Sequence, residues 1–233
     1  LDDAAAVVDL ACKLAEESAS IEARAQALAS RGRLHSARGE LDEALEALEE
    51  ARELFEEVGA AWTLGRTLNA LGWLWWRRGD MAQAERALRD SIRMLKPLED
   101  RATLCESQRS LAQLLVAQGK LEEAERVALE ARRTVGPQDQ SSRATTRMAL
   151  GVVRAAQGRD EEAEQLFREA LEVIEPTEFH SVRFEVLGAL ARFLRERDRE
   201  EEASAVEVQL AALGPVTWGQ PDDGARSFVA PSV

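Results

Sequence analysis

The chain has 233 residues, 45% of them hydrophobic, and a formal net charge of −13. That length and apolar content suffice for a large core, while the acidic excess argues against nucleic acid or an anionic membrane surface as the main partner. No apolar run approaches the length of about 18 residues that spans a bilayer, so membrane insertion is not expected.

Ala, Leu, Glu and Arg dominate, Tyr is absent, and proline is confined to junctions and the C-terminal stretch, a composition that predicts an almost entirely helical chain. Gly39, Gly79, Gly119 and Gly158 recur at spacings of 40, 40 and 39. Around them run three registers of small residues. One is Ala4, Ala44, Ala84, Ala124, Ala163 and Ala203; a second is Gly32, Gly72, Ala112, Gly151 and Ala191; a third is Ala11, Ala51, Ser91, Ala131 and Ala170. Helices that approach closely need a small residue at the contact, and a glycine before a polar residue ends one helix where the next begins. The pattern predicts a repeating pair of antiparallel helices joined by a tight turn.

In chain order, residues 1–18 carry Ala4 and Ala11 in the register of a second helix with no first helix before it, so they read as the end of a truncated repeat whose remainder lies upstream. The first complete repeat opens with a helix over about 20–37. Its second helix places Leu41, Ala44, Leu45, Leu48, Ala51, Leu54 and Phe55 on one stripe, with Glu and Arg on the outer face. The second repeat runs to about Pro97, the third over about 99–136, the fourth over about 138–176 and the fifth over about 177–213, with Pro97, Pro137 and Pro176 at the junctions. In the fifth, Asp198 stands where the other turns have glycine, and Leu210 replaces the second small residue, so the array is expected to end there. Residues 214–233 are rich in Gly, Pro, Ser and Asp and read as an unstructured tail, with the alternative that Trp218, Phe228 and Val229 cap the last repeat or fold into the groove. The repeats place Cys12 and Cys105 too far apart for a disulfide, which suits a reducing cytoplasm.

Leu71-Gly72 in a first helix, the Gly79-Asp80 turn, and Ala84 and Ser91 seven residues apart in a second helix together resemble the tetratricopeptide repeat. The resemblance covers about residues 1–213, and the 40-residue period places it with the long-repeat type of kinesin light chains and bacterial regulators. It implies an all-α, right-handed solenoid of five repeats after a leading half repeat (19–213 after 1–18). It also implies a concave face lined by the first helix of each pair. Carried over residue by residue, that face takes Arg66, Asn69, Trp73, Trp76 and Arg77 from the second repeat, with Trp62 added three turns earlier. Arg109 and Gln113 follow from the third repeat, Met148 from the fourth and Arg192 from the fifth, while Trp75 falls on the core side.

None of the motifs for phosphate loops, dinucleotides, thiol redox chemistry or zinc hydrolysis is present, so neither an enzyme nor a cofactor is expected. His35 and His180 are isolated, with His35 at a core-facing position, and the glutamate runs fit solvated helix faces and helix starts. Tryptophan and arginine on one face are favoured at binding hot spots. The expectation is therefore a cytoplasmic protein-interaction module, part of a larger bacterial protein, whose groove holds a protein or peptide with acidic and apolar groups. The alternative is an effector-sensing domain of a signalling ATPase or transcription regulator, in which a small molecule or short peptide shifts the stack.

Overall fold

A computed structural model describes residues 2–18, 20–98 and 100–213. The expectations for Trp218, Phe228 and Val229 lie outside the described residues. Two units divide the chain at residues 100 and 101. The first holds α1 (Asp2–Glu17), α2 (Ile21–Arg38), α3 (Leu41–Glu57), α4 (Ala61–Arg78) and α5 (Met81–Leu95). The second holds α6 (Arg101–Ala117), α7 (Leu121–Thr134), α8 (Gln140–Ala156), α9 (Asp160–Ile174), α10 (His180–Arg195) and α11 (Glu200–Ala212). No strand occurs among the described residues, and the fold class is all-α, built of paired helices as the periodicity predicts.

The turn inside each pair follows from its residues. Gly79 adopts φ 90°, a conformation that costs an ordinary side chain energy, and its N–H and that of Asp80 close on the carbonyls of Trp76 and Trp75. Asp80 then caps α5 by accepting from the Gln83 N–H at 3.0 Å. Asp198 takes the same left-handed conformation, at φ 57°, so the fifth turn keeps its geometry without glycine.

The small residues mark the seams within pairs. Ala44, Ala84, Ala124, Ala163 and Ala203 are all fully buried. A Cβ on Gly32 or Gly72 would meet Leu48 or Leu88 Cγ at 2.6 Å, and one on Gly151 would meet the Phe167 ring at 2.9 Å. Leucine and phenylalanine therefore fill the space that glycine vacates across the seam. Where Ser91 stands in place of alanine, its buried hydroxyl donates to the Gly65 carbonyl at 2.7 Å, so the polar atom is satisfied.

In the first unit the core runs through Leu28, Leu45, Leu48, Phe55, Leu64, Leu68, Leu71 and Leu74. In the second it runs through Met148, Phe167, Ile174, Val186, Leu190 and Phe193, and the Phe167 and Phe193 rings lie 5.6 Å apart. Ion pairs link successive pairs at their edges: Arg78 reaches Asp42 in the first unit, and Arg154 reaches Glu125 and Arg197 reaches Asp160 in the second. His35 departs from its expected role. It is not a core residue but lies half-buried in the last turn of α2, with Nδ1 2.6 Å from Glu40 Oε2 just beyond the helix.

Candidate functional site

Two stripes run along α4. Gly65, Asn69, Gly72 and Trp76, spaced four, three and four apart, are all buried, and the glycines on it face Leu95 and Leu88 of α5. Trp62, Arg66, Trp73 and Arg77 form the other, spaced four, seven and four, and none of them is buried. At 100° per residue, the one-position difference between the two registers decides which side chains are enclosed.

The second stripe is built of two identical units. Arg66 Cζ lies 4.7 Å from the Trp62 ring centroid, and Arg77 Cζ lies 4.7 Å from that of Trp73. Each arginine follows its tryptophan by one helical turn, the spacing that lets a guanidinium cover an indole on the same helix. Trp62 is 43% exposed, an unusual amount for so large an apolar side chain. Its indole N–H donates to Asp100, a carboxylate that sequence spacing did not bring to this site. Trp73 is half-buried with its inner edge on the core, and Arg33 of α2, one repeat earlier in the same register, donates to Ser30 at 2.9 Å. The face therefore offers indole edges between guanidinium groups.

Trp76 is only 5% exposed, and Asn69 is buried as well. Both correct the expectation that they face a partner, because their side chains are enclosed and leave little surface to offer one. Trp75 packs on the core as expected but leaves one part open, where Arg78 lies 5.6 Å from its ring.

In the second unit the predicted residues separate further. Arg109 and Gln113 on α6 and Met148 on α8 are buried, whereas Arg192 on α10 is exposed. The enclosure has a charge partner: Arg109 Nη1 lies 3.6 Å from Glu185 Oε2 on α10, and both side chains are 2% exposed. First helices two repeats apart thus meet through an ion pair, and Arg109, Gln113 and Met148 all lie off the accessible surface. Burial pushes the Glu185 carboxyl up to about 7, with Arg109 opposing and Glu106 reinforcing the shift. Residue spacing alone does not announce that Glu185 is sealed against Arg109.

Among the described residues no helix is long and apolar enough to cross a membrane. Models of the tetratricopeptide repeat match residues 23–96 and 142–212, more than half of the chain, and residues 106–130. No curated protein matches significantly. Solved structures share the fold at low identity. A Rap protein complexed with competence and sporulation factor is 14% identical with a TM-score of 0.73, over 85% of this chain and 56% of that one. NprR in complex with its cognate peptide NprX is also 14% identical, with a TM-score of 0.70 over 95% and 63%. A signal transduction ATPase with numerous domains and a tetratricopeptide repeat sensor, from Pyrococcus horikoshii, is 16% identical with a TM-score of 0.63 over 82% and 29%. The chain thus spans little more than half the length of the first of these and under a third of the last.

Proposed function

Because the chain belongs to the tetratricopeptide repeat family, we propose that it is a protein- and peptide-binding module, and that its partner docks on the Trp62, Arg66, Trp73 and Arg77 stripe of α4. The observation that carries the reading is the exposed Trp62 ring with Arg66 stacked on it, one stripe with the Trp73 and Arg77 pair. An indole offers about 150–250 Å² of apolar contact, and a guanidinium beside it recognises a carboxylate with directional hydrogen bonds. Asp100 already supplies a carboxylate to the Trp62 N–H, the chemistry an acidic partner would extend. The partner is accordingly a segment that pairs Asp or Glu with a large apolar residue, met by a cytoplasmic scaffold or regulatory part of a larger bacterial protein. The role is binding rather than catalysis.

The test uses fluorescein-labelled ten-residue peptides that pair Asp or Glu with Leu or Phe at varied spacing, with Lys-for-acid counterparts as controls. Acidic-apolar peptides should bind, and Trp62→Ala with Arg66→Ala should weaken binding at least tenfold while far-ultraviolet circular dichroism stays unchanged. Equal affinity of the double variant, or equal affinity for the lysine counterparts, would sink the assignment.

The second reading is an effector-sensing domain. Its support is the sealed Arg109–Glu185 contact between α6 and α10, an element that a ligand could open or tighten, and the likeness to the sensor of the Pyrococcus horikoshii ATPase.

A further inference from the structure

The second unit contains a cleft of about 160 Å³ away from the residues discussed above, lined by Arg132, Arg143, Arg147, Thr146 and the segment from Val135 to Pro137. Three guanidinium-bearing residues and no carboxylate line it, on a chain whose net charge is −13. Arg132 comes from the last turn of α7, and Arg143 and Arg147 from successive turns of α8, so two helices and the loop between them bring like charges together. Like charges gathered in a partly enclosed space are unfavourable unless something offsets them.

Among the described residues little does so. Arg147 is held at 2.8 Å on the Arg143 carbonyl, a hydrogen bond that orients the guanidinium without neutralising it. One carboxylate, that of Glu169 on α9, lies 3.6 Å from Arg147 Nε. Arg143 makes one long contact of 3.4 Å to the Pro137 carbonyl, and among the described residues neither Arg132 nor Arg143 forms an ion pair. Burial, then the neighbouring Arg132 and Arg143, push the Arg147 guanidinium below its ordinary value against the opposing pull of Glu169. The Thr146 hydroxyl is already spent on the Ser142 carbonyl at 2.7 Å, so the recognising groups are the arginines.

We propose that this cleft is an anion site for a phosphate-monoester dianion. Three guanidiniums less the Glu169 carboxylate leave a charge of two to be matched, which a carboxylate ligand would halve and a phosphate monoester cancels. Ligand pockets for drug-sized molecules run to about 300–1,000 Å³, so a cleft of about 160 Å³ suits the phosphoryl group itself. Planar guanidiniums with several N–H donors each are the side chains best shaped to surround its oxygens. The group comes either as free inorganic phosphate or on a small phosphate ester.

The test is thermal unfolding of the whole chain with 10 mM inorganic phosphate, phosphoserine, acetate or chloride at matched ionic strength, with phosphorus NMR line broadening as a direct readout of binding. Phosphate or phosphoserine should raise the Tm by about 3 °C beyond chloride, and acetate should not. A larger shift with phosphoserine than with inorganic phosphate identifies an ester as the source, and the reverse identifies the free ion. Arg132→Glu changes an exposed residue and should preserve the fold, abolish the shift and weaken line broadening at least tenfold. Arg147→Met should do the same without lowering the Tm measured in chloride, because it relieves the crowding. A shift equal in all four salts, or one retained in Arg132→Glu, would overturn the proposal.

Discussion

Glu185 and Glu164 are shifted in opposite directions, and the sign of each sets a different pH window. Glu185 is pushed up to about 7 by burial, so between its unfolded value near 4.5 and about 7 the folded chain holds more protons than the unfolded one. Stability from this group is therefore greatest below the lower value and declines as pH rises through the higher. Glu164 runs the other way: a hydrogen bond from Arg199, seconded by Arg168, lowers it to about 2, so its contribution is present above 4.5 and disappears as pH falls toward 2. Glu185→Gln mimics the protonated form, and it should match the parent in urea unfolding at pH 4.5. At pH 8 it should exceed the parent by about 1–3 kcal/mol, since ionising Glu185 costs more in the fold than in the unfolded chain even with Arg109 beside it. A Gln variant less stable than the parent at pH 8 would show instead that the ion pair is net stabilising. This pair was only half legible in the sequence. The repeat register puts Arg109 and Glu185 on corresponding faces, but whether α6 and α10 come close enough to exclude water depends on packing that spacing does not encode.

Helix seams were legible because they demand something visible in sequence, a residue too small to collide. Gly72 and Gly188 show why the demand belongs to the contact and not to glycine as such. A Cβ at Gly72 would lie 2.6 Å from Leu88 Cγ and 3.3 Å from the Ala84 carbonyl, whereas one at Gly188, in the body of α10, meets nothing within 4 Å. Gly72→Ala should therefore destabilise the chain by about 1–3 kcal/mol despite the better helix propensity of alanine, because Leu88 is boxed into the seam. Gly188→Ala should stabilise it by about 0.5–1 kcal/mol, the propensity gain alone. Thermal and urea unfolding of both variants check the pair, and a loss at Gly188 would mean that α10 is packed there after all. The same resolution limits the candidate site. The tryptophan and arginine content of α4 was plain, whereas the stacking of Arg66 on Trp62 emerges only with the fold. The buried register of Trp76 differs from the open register of Trp73 and Arg77 by a single helical step, and packing rather than spacing decides which of the two is enclosed. The arginine cleft was less visible still, since it is formed by residues that follow no repeat register.

Each unit is a series of pairs that bury their faces against neighbours, and in such an arrangement local stability follows how many sides of a helix are covered. Some helices are enclosed: α6 is buried continuously from Ser107 to Leu115, and α8 buries residues on most of its turns. Two helices are not. In α1, Val7, Leu10 and Leu14 are 67%, 57% and 57% exposed, and Ala4 and Ala11, whose counterparts Ala44 and Ala51 are fully buried in α3, are open as well. In α11, Ala203 is the buried residue and Val208 is 70% exposed. With about 25 cal/mol gained per Å² of apolar surface covered, a helix with an uncovered apolar face forfeits several kcal/mol against one that is covered. Native-state hydrogen exchange should therefore be graded rather than uniform. Amides of α1 and α11 should exchange through local opening, at least a hundredfold faster than those of α4, α6 and α8, and with little dependence on denaturant. The enclosed helices should exchange only through larger openings that low denaturant accelerates. A single protection plateau running from α1 to α11, with one common denaturant dependence, would mean that the exposed stripes are coupled to the core by more than the contacts seen, and that the repeats unfold together.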